Sequence, residues 1–286
     1  MTATTAPDAG RNAAELLRDW LACHRRVFAL TGAGCSTASG IPDYRDAKGV
    51  WKRRPPVTFQ AFTGDAATYR RYWARSGIGW PRFARAQPND AHRALADWED
   101  GGTLSLLVTQ NVDGLHQCAG SRLVIDLHGR LDRVVCLGCA ETLPREAVQV
   151  HLEEANPGWH ATRAEVAPDG DADIDDDDAI AHFVPPRCRD CDGLLKPDVV
   201  FFGENVPRAR YEHARVALQA SDAMLVVGSS LMVYSGYRFA RMAREAGLPL
   251  AILNQGTTRA DAIATLKLDA GCGETLRAVL DWRLSG

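Results

Sequence analysis

The sequence predicts an α/β fold: a large domain built on a parallel sheet, together with a small module made of two insertions. Short apolar runs alternate along the chain with helix-like stretches, and this alternation is typical of a parallel sheet covered by helices on both faces. Two stretches, residues 41–90 and 132–195, interrupt the alternation. The length of 286 residues is sufficient for one large domain or two modest ones.

The elements of the large domain follow from hydrophobic periodicity. Apolar residues at helical spacing predict a helix over residues 12–25. The apolar run Val27–Thr31 comes next and has the length of a buried strand that ends at a glycine turn. The later strand-like runs are 104–109, 123–127, 223–227 and 250–253, and the later helix-like stretches are 91–98, 208–220 and 237–246.

The same pattern sets the expected domain boundaries. Residues 1–40, 91–131 and 196–286 are expected to form the large domain, which is therefore discontinuous along the chain. Residues 41–90 are rich in arginine, proline and aromatic residues and are expected to form a loop that leads into helices. Residues 132–195 contain two cysteine pairs and are expected to form the second insertion.

Composition excludes several classes of partner. The net charge is −3 and the isoelectric point about 6.2, so no basic field attracts the chain to nucleic acid. No apolar run approaches the ~20 residues that span a bilayer, which argues against a membrane protein. The N-terminus lacks the pattern of a secretory signal, so we expect a cytoplasmic location, and a monomer is the default expectation.

Four of the eight cysteines form two pairs that predict a metal site. Cys136/Cys139 and Cys188/Cys191 are CxxC pairs with 48 residues between them. Two residues between cysteines let both thiolates face one point, and two such turns complete a tetrahedron around Zn²⁺. Because four thiolates leave the metal no open position, we expect structural zinc. Disulfides are not expected in a reducing compartment.

The first predicted strand ends at Gly32-Ala33-Gly34, which resembles the start of a dinucleotide-binding turn. The dehydrogenase pattern is incomplete, because the third glycine falls at Gly40 instead of position 37. The acidic ribose ligand is missing as well, since that region reads Lys52-Arg53-Arg54. The sequence therefore predicts a Rossmann-like, nucleotide-binding domain and disfavours hydride transfer.

The residues after the glycine turn extend the resemblance to a known family. The segment 32–45, GAGCSTASGIPDYR, resembles the cofactor-binding loop of the sirtuin family. Six further segments match sirtuin motifs in the family's order, and together they span nearly the whole chain. These segments are 109–116 (TQNVDGLH), 127–129 (LHG), 196–204 (KPDVVFFGE), 228–230 (GSS), 254–256 (NQG) and 272–274 (CGE).

The resemblance implies a protein-lysine deacylase that consumes NAD. The expected products are nicotinamide, O-acyl-ADP-ribose and free lysine, and the expected partners are acylated lysine side chains of proteins. An alternative within the family is a protein mono-ADP-ribosyltransferase that uses the same site. A histidine that titrates near neutrality suits the removal of a proton from a ribose hydroxyl.

The resemblance also assigns roles to residues. His128 is the implied general base, and Asn111 and Asp113 are implied to anchor the nicotinamide. His116 is as well explained by a helix cap or by packing as by a cofactor contact. The implied cofactor contacts are Gly32, Ala33, Gly34, Ser36, Ser39, Ile41, Pro42, Asp43, Tyr44, Arg45, Gln110, Asn111, Asp113, Gly228, Ser229, Ser230, Asn254, Gln255, Gly256 and Cys272.

The segments 71–75 (RYWAR), 79–81 (GWP) and 266–274 resemble the class II branch, and specifically the mitochondrial lipoamidase-type sirtuin. Ser235-Gly236 stands where many relatives carry a proline and a small residue, which fits this branch. Tyr72 and Arg75 face one way on a helix and are a candidate pair for gripping an acyl carboxylate. On spacing alone an exposed amphipathic helix explains them equally well. The implied substrate strand is Val200, Phe201, Phe202, Gly203 and Glu204.

Overall fold

The computed structural model describes residues 12–44, 46, 50, 52, 56–159, 170 and 177–285. The described helices are α1 Ala13–Ala22, α2 Phe59–Gly64, α3 Ala66–Phe83, α4 Asp90–Asp100, α5 Leu115–Cys118, α6 Arg145–Ala155, α7 Asp177–His182, α8 Arg208–Gln219, α9 Tyr234–Glu245 and α10 Cys272–Ser285. The strands are β1 Val27–Thr31, β2 Leu104–Thr109, β3 Val124–Asp126, β4 Gly129–Cys136, β5 Thr142–Pro144, β6 Leu195–Val199, β7 Ala223–Val227, β8 Leu250–Leu253 and β9 Leu266–Leu268.

The large domain is a parallel sheet with helices on both faces, which confirms the predicted fold class. Six strands pair in the order β3-β2-β1-β7-β8-β9, and every neighbouring pair is parallel. All residues of β1, β7 and β8 are buried, as expected where both faces of a sheet are covered. Helices α1, α4 and α10 pack on one face, and α8 and α9 on the other.

The strand order places a crevice at the carboxyl edge of the sheet. The chain runs outward from β1 to β3 and later returns to β7, which lies on the other side of β1. Ligands of open α/β sheets bind where the strand order reverses in this way, because the loops after the two central strands diverge there. Here those loops are the glycine turn after β1 and the segment from Gly228 after β7.

The small module contains both insertions. Its sheet is antiparallel with the order β5-β4-β6, and α3 and α6 pack around a core that includes Phe62, Trp73 and Leu152. The sheet begins at Gly129 and ends at Val199, so it extends past the expected insertion, 132–195, at both ends. The exact domain boundaries stay a prediction.

The described residues of the segment 41–90 are mainly helical, and α3 alone has 18 residues. Pro81 lies inside its last turn, where the helix is about to end. Within the described part of the chain, no helix combines the length and the apolar character that crossing a membrane requires.

Candidate active site

The loops that follow the parallel strands meet at one edge of the sheet and enclose a groove of about 1120 Å³. Gly34 follows β1, Gly228 follows β7, and Asn254 follows β8, so three strands contribute to its wall. The predicted cofactor residues that line it are Gly34, Ser39, Asp43, Gly228, Asn254, Gln255 and Cys272.

The other predicted cofactor residues that the structure describes are not among the residues that line the groove. Ile41 is buried in an apolar cluster with Trp80 and Phe83, which anchors the start of the loop after the glycine turn. Asp43 forms an ion pair with Lys52. Arg45 lies outside the described residues. The other described residues of the predicted set that do not line the groove are Gly32, Ala33, Ser36, Pro42, Tyr44, Gln110, Asn111, Asp113, Ser229, Ser230 and Gly256.

The glycines of the turn let two loops approach each other closely. A Cβ on Gly32 would lie 2.7 Å from the Cβ of Ser229, and one on Gly34 would lie 3.0 Å from the Gly228 oxygen. Gly228 has a φ of +60°, and a Cβ there would lie 2.3 Å from the Cys35 nitrogen. Glycine is therefore required sterically on both sides of the crevice.

A hydrogen-bond network ties the glycine turn to the loop after β2. The Asn111 amide donates to the Gly32 oxygen at 3.1 Å and to Ser36 Oγ at 3.0 Å. Ser36 Oγ donates to Asp113 Oδ2 at 2.7 Å, and Asp113 also accepts from the Leu115 amide at 2.9 Å. Burial raises the pKa of Asp113, and these hydrogen bonds oppose the rise. Both predicted nicotinamide anchors are thus fixed against the turn.

His128 follows β3 at the same edge, and its two ring nitrogens have different partners. Nδ1 lies 2.9 Å from the Gln110 carbonyl oxygen, so Nδ1 carries the proton and donates it. Nε2 lies 2.7 Å from Ser235 Oγ and is left with the lone pair. Burial lowers the pKa of His128 to about 4, and Arg238 and Arg210 add to the shift. The imidazole is therefore neutral at pH 7 and able to accept a proton, but its pKa lies below the near-neutral value that the sequence analysis expected.

Gln110 connects His128 to the groove. Its side-chain amide donates to Ser229 Oγ at 2.7 Å, and Ser229 follows the groove-lining Gly228. The carbonyl of the same residue holds the imidazole. His128 is not itself among the groove-lining residues. Gln110 lies between it and Ser229, which belongs to the loop after β7.

Two more histidines lie beneath the glycine turn, and sequence reasoning missed one of them. The rings of His92 and His116 are 4.8 Å apart, and both side chains are fully buried. His116 Nε2 lies 2.9 Å from Thr31 Oγ1, and His92 Nδ1 accepts from the Asn89 amide at 3.2 Å. A signal for His92 was available, because Asn89 and His92 have the spacing of a helix capping box.

Stability is expected to fall as the pH is lowered from about 6.5 to about 4. Burial lowers the pKa of His92 and His128 to about 4 and that of His116 well below its usual value. Unfolded histidines titrate near 6.5, so in this window the unfolded chain binds more protons. Each histidine then removes about 1.4 kcal/mol of stability per pH unit. The raised pKa of Asp113 offsets part of the loss.

Urea unfolding at pH 7, 6 and 5 measures this effect. His92→Gln should reduce the slope of stability against pH, whereas His213→Gln, at an exposed position of α8, should leave it unchanged. Equal stability of the unmodified chain at pH 7 and pH 5 would contradict the prediction.

The four paired cysteines converge in the small module, and their geometry fits zinc. Cys136 Sγ lies 3.4 Å from Cys191 Sγ, Cys139 Sγ lies 3.7 Å from Cys188 Sγ, and all four sulfurs lie within 4.8 Å of one another. Zn–S bonds of about 2.3 Å in a tetrahedron place sulfurs about 3.8 Å apart. The chain has a positive φ directly after each pair, at Ala140 and Asp192, so the two turns have the same shape.

The predicted substrate residues 200–204 lie against His128, but they follow the end of β6 at Val199 and do not form a strand. The Val200 amide donates to the His128 oxygen at 2.8 Å, and the Phe202 oxygen accepts from the Phe59 amide at 2.8 Å. Glu204 accepts from the Phe201 amide at 2.7 Å and pairs with the buried Lys196 at 3.0 Å. Gly203 has a φ of +87°, which favours glycine.

The candidate acyl pair lies next to this segment. The Tyr72 ring is buried, and its centroid is 5.4 Å from that of Phe201. Arg75 is partly buried one helical turn further along α3. The structure therefore brings the tyrosine to the substrate segment, while the pair's contact with an acyl chain stays a prediction.

Comparisons with known proteins identify close relatives. A model of the Sir2 family matches residues 32–235. The NAD-dependent protein deacetylase of Xanthomonas axonopodis pv. citri is 63% identical over 260 residues, covering 91% of this chain and 88% of that protein. The NAD-dependent protein deacetylase of Bordetella bronchiseptica is 57% identical over 266 residues, covering 93% and 97%. A solved structure of Sir2 with a p53 peptide and NAD⁺ has a TM-score of 0.75 and 34% identity, covering 95% and 98%.

Proposed function

The chain belongs to the Sir2 family and is an NAD-dependent protein deacetylase, and we propose that His128, Asn111 and Asp113 carry out its chemistry. The observation that carries this proposal is the placement of the His128 imidazole, whose Nδ1 faces the Gln110 carbonyl and whose Nε2 faces Ser235 Oγ, after β3 at the carboxyl edge of the sheet. NAD would supply the electrophilic ribose carbon and release nicotinamide, and its ADP-ribose part would receive the acyl group. The chain's own residues bind and orient NAD and the acyl-lysine, and they deprotonate the ribose hydroxyl.

His128 is proposed as the general base for a ribose hydroxyl. The Gln110 carbonyl fixes the proton on Nδ1, so the proton taken from the hydroxyl must go to Nε2. The depressed pKa keeps this nitrogen unprotonated at neutral pH. A neutral, oriented imidazole is what proton transfer in the transition state requires.

Asn111 and Asp113 are proposed to hold the nicotinamide out of line with the ribose. The two side chains meet at Ser36 Oγ, so they have a common orientation relative to the glycine turn. Such fixed polar groups orient a ligand without reorganising during the reaction. Segment 200–204 is proposed to receive the acyl-lysine, because its Val200 amide is bonded to the His128 carbonyl.

The product analysis that tests the function separates it from the family's alternative. Incubation with NAD and an acetylated peptide should release nicotinamide, unmodified lysine and O-acetyl-ADP-ribose, each identified by mass. The relatives' names support deacetylation and give no support to mono-ADP-ribosyl transfer. Gain of ADP-ribose on an acceptor protein, with the acetyl group retained, would overturn the proposal.

Arg75→Ala is expected to lower the removal of acidic acyl groups such as glutaryl about tenfold or more, while removal of acetyl changes little. A charge-assisted hydrogen bond to the acyl carboxylate contributes about 1.5–3 kcal/mol, and acetyl has no such carboxylate. Turnover of acetyl, succinyl, glutaryl and lipoyl peptides measures the effect. Arg71→Ala, at an exposed position of the same helix, is the matched control. An equal loss of turnover on every acyl type would contradict a contact between Arg75 and the acyl carboxylate.

Three finer features stay predictions from the sequence. They are the likeness to the class II, lipoamidase-type branch, the cytoplasmic location and the monomeric state. The lipoyl peptide in the panel above bears on the first, because a lipoamidase-type site should accept that chain.

A further inference from the structure

Ser235 contacts the nitrogen that the proposed function assigns as the base. It lies in the first turn of α9, and its Oγ is 2.7 Å from His128 Nε2. Because Nδ1 carries the proton, Nε2 has only a lone pair and can only accept. The Ser235 hydroxyl is therefore the donor in this hydrogen bond.

We propose that Ser235 is a positioning residue, whose hydroxyl directs the His128 lone pair and keeps the imidazole neutral until a ribose hydroxyl takes its place. The inference rests on the proposed role of His128 as the base. Ser235 keeps its own proton throughout. The proton that moves in the reaction passes from the ribose hydroxyl to Nε2, as that hydroxyl oxygen forms its bond to the acyl carbon and the electron pair of the carbon–nitrogen double bond moves to the lysine nitrogen.

The first turn of α9 is built to hold Ser235 in place. A Cβ on Gly236 would lie 2.3 Å from Gln110 Oε1, so this turn packs directly on the residue whose carbonyl holds Nδ1. Both ring nitrogens of His128 are thus held by two segments that contact each other. A side chain in place of Gly236 would displace the Gln110 side chain.

Arg238 also holds the first turn of α9 in place. Its Nε donates to the Ser235 carbonyl oxygen at 3.2 Å, and its guanidinium lies 3.9 Å from the Tyr211 ring centroid. A planar cation on an aromatic ring is a firm anchor. These two contacts hold the Ser235 backbone in place.

The charged side chains that face His128 act on its pKa in the same direction as the Ser235 hydroxyl. Arg238 of α9 and Arg210 of α8 both disfavour the imidazolium, and Arg210 is paired with Asp198 at 3.5 Å. Donation from Ser235 to Nε2 also stabilises the neutral imidazole. Its removal should raise the pKa of His128, so the acid limb of activity should move to higher pH.

Three variants test the inference in the full-length enzyme. Ser235→Ala should lower kcat about fivefold, leave KM for NAD nearly unchanged, and move the acid limb of kcat/KM up by about half to one pH unit. Ser235→Thr, which keeps the hydroxyl, should restore both. Ser221→Ala loses a serine hydroxyl bonded to Ser105 outside the groove and should change neither.

The imidazole can also be followed without catalysis, by ¹⁵N NMR of His128 in the cofactor-free protein. A higher His128 pKa in Ser235→Ala supports the inference even if that variant loses stability. An unchanged pKa and acid limb, or a kinetic loss that threonine does not restore, would overturn it. Failure of the proposed function would appear separately, as full activity of a His128→Ala variant, while the NMR titration would still show whether the Ser235 hydroxyl controls the His128 pKa.

Discussion

His128→Ala is expected to lower kcat/KM for an acetylated peptide by about 10²- to 10⁴-fold, the usual contribution of a positioned acid or base. The side chain makes hydrogen bonds to the Gln110 carbonyl and to Ser235 Oγ, both at the carboxyl edge of the sheet. It belongs to none of the apolar clusters. The loss should therefore be one of chemistry rather than of folding.

Nicotinamide release and free-lysine formation measure the loss directly, and a thermal melt tests the fold. His213→Ala removes an exposed imidazole from α8 and is the matched control, with activity expected to stay unchanged. A His128→Ala protein that melts normally and keeps its full rate would show that another group takes the ribose proton.

The predictable elements of the fold are strands that are buried on both faces and helices that bury one apolar stripe. The strands β1, β7 and β8 are buried on both faces and read as continuous apolar runs, and α1 and α4 show clear helical spacing. Strand β9 was missed as a strand, because it has three residues and Lys267 is at its centre. Helix α3 shows no clean stripe, because it is buried around most of its circumference.

The site was predictable as a set of residues but not as a set of contacts. The motifs named His128, yet its partner Ser235 lies 107 positions further along the chain. The two meet because β3 and β7 end at the same edge of the sheet. The order of the strands cannot be deduced from the residues around His128 or around Ser235. The His92–His116 pair has the same origin, since the two rings lie on α4 and α5, which β2 separates in the chain.

Removal of one zinc ligand, by Cys136→Ser, is expected to cost several kcal/mol of stability and most of the activity. Cys136 is the last residue of β4, and the second pair, Cys188/Cys191, lies just before β6. The four-thiolate site therefore joins the ends of the two strands that make up most of the small sheet. A zinc assay should give one ion per chain for the unmodified protein and a lower value for the variant.

The loss of activity is expected because β4 and β6 connect the zinc site to His128 and Val200. β4 begins at Gly129, directly after His128, and β6 ends at Val199, directly before Val200, whose amide donates to the His128 carbonyl. Without zinc the pairing of β4 with β6 weakens, so the base and the substrate segment should lose their alignment together. Cys118→Ser, at an exposed position outside the cluster, should change neither zinc content nor rate. A Cys136→Ser protein with full zinc and full activity would exclude this coupling.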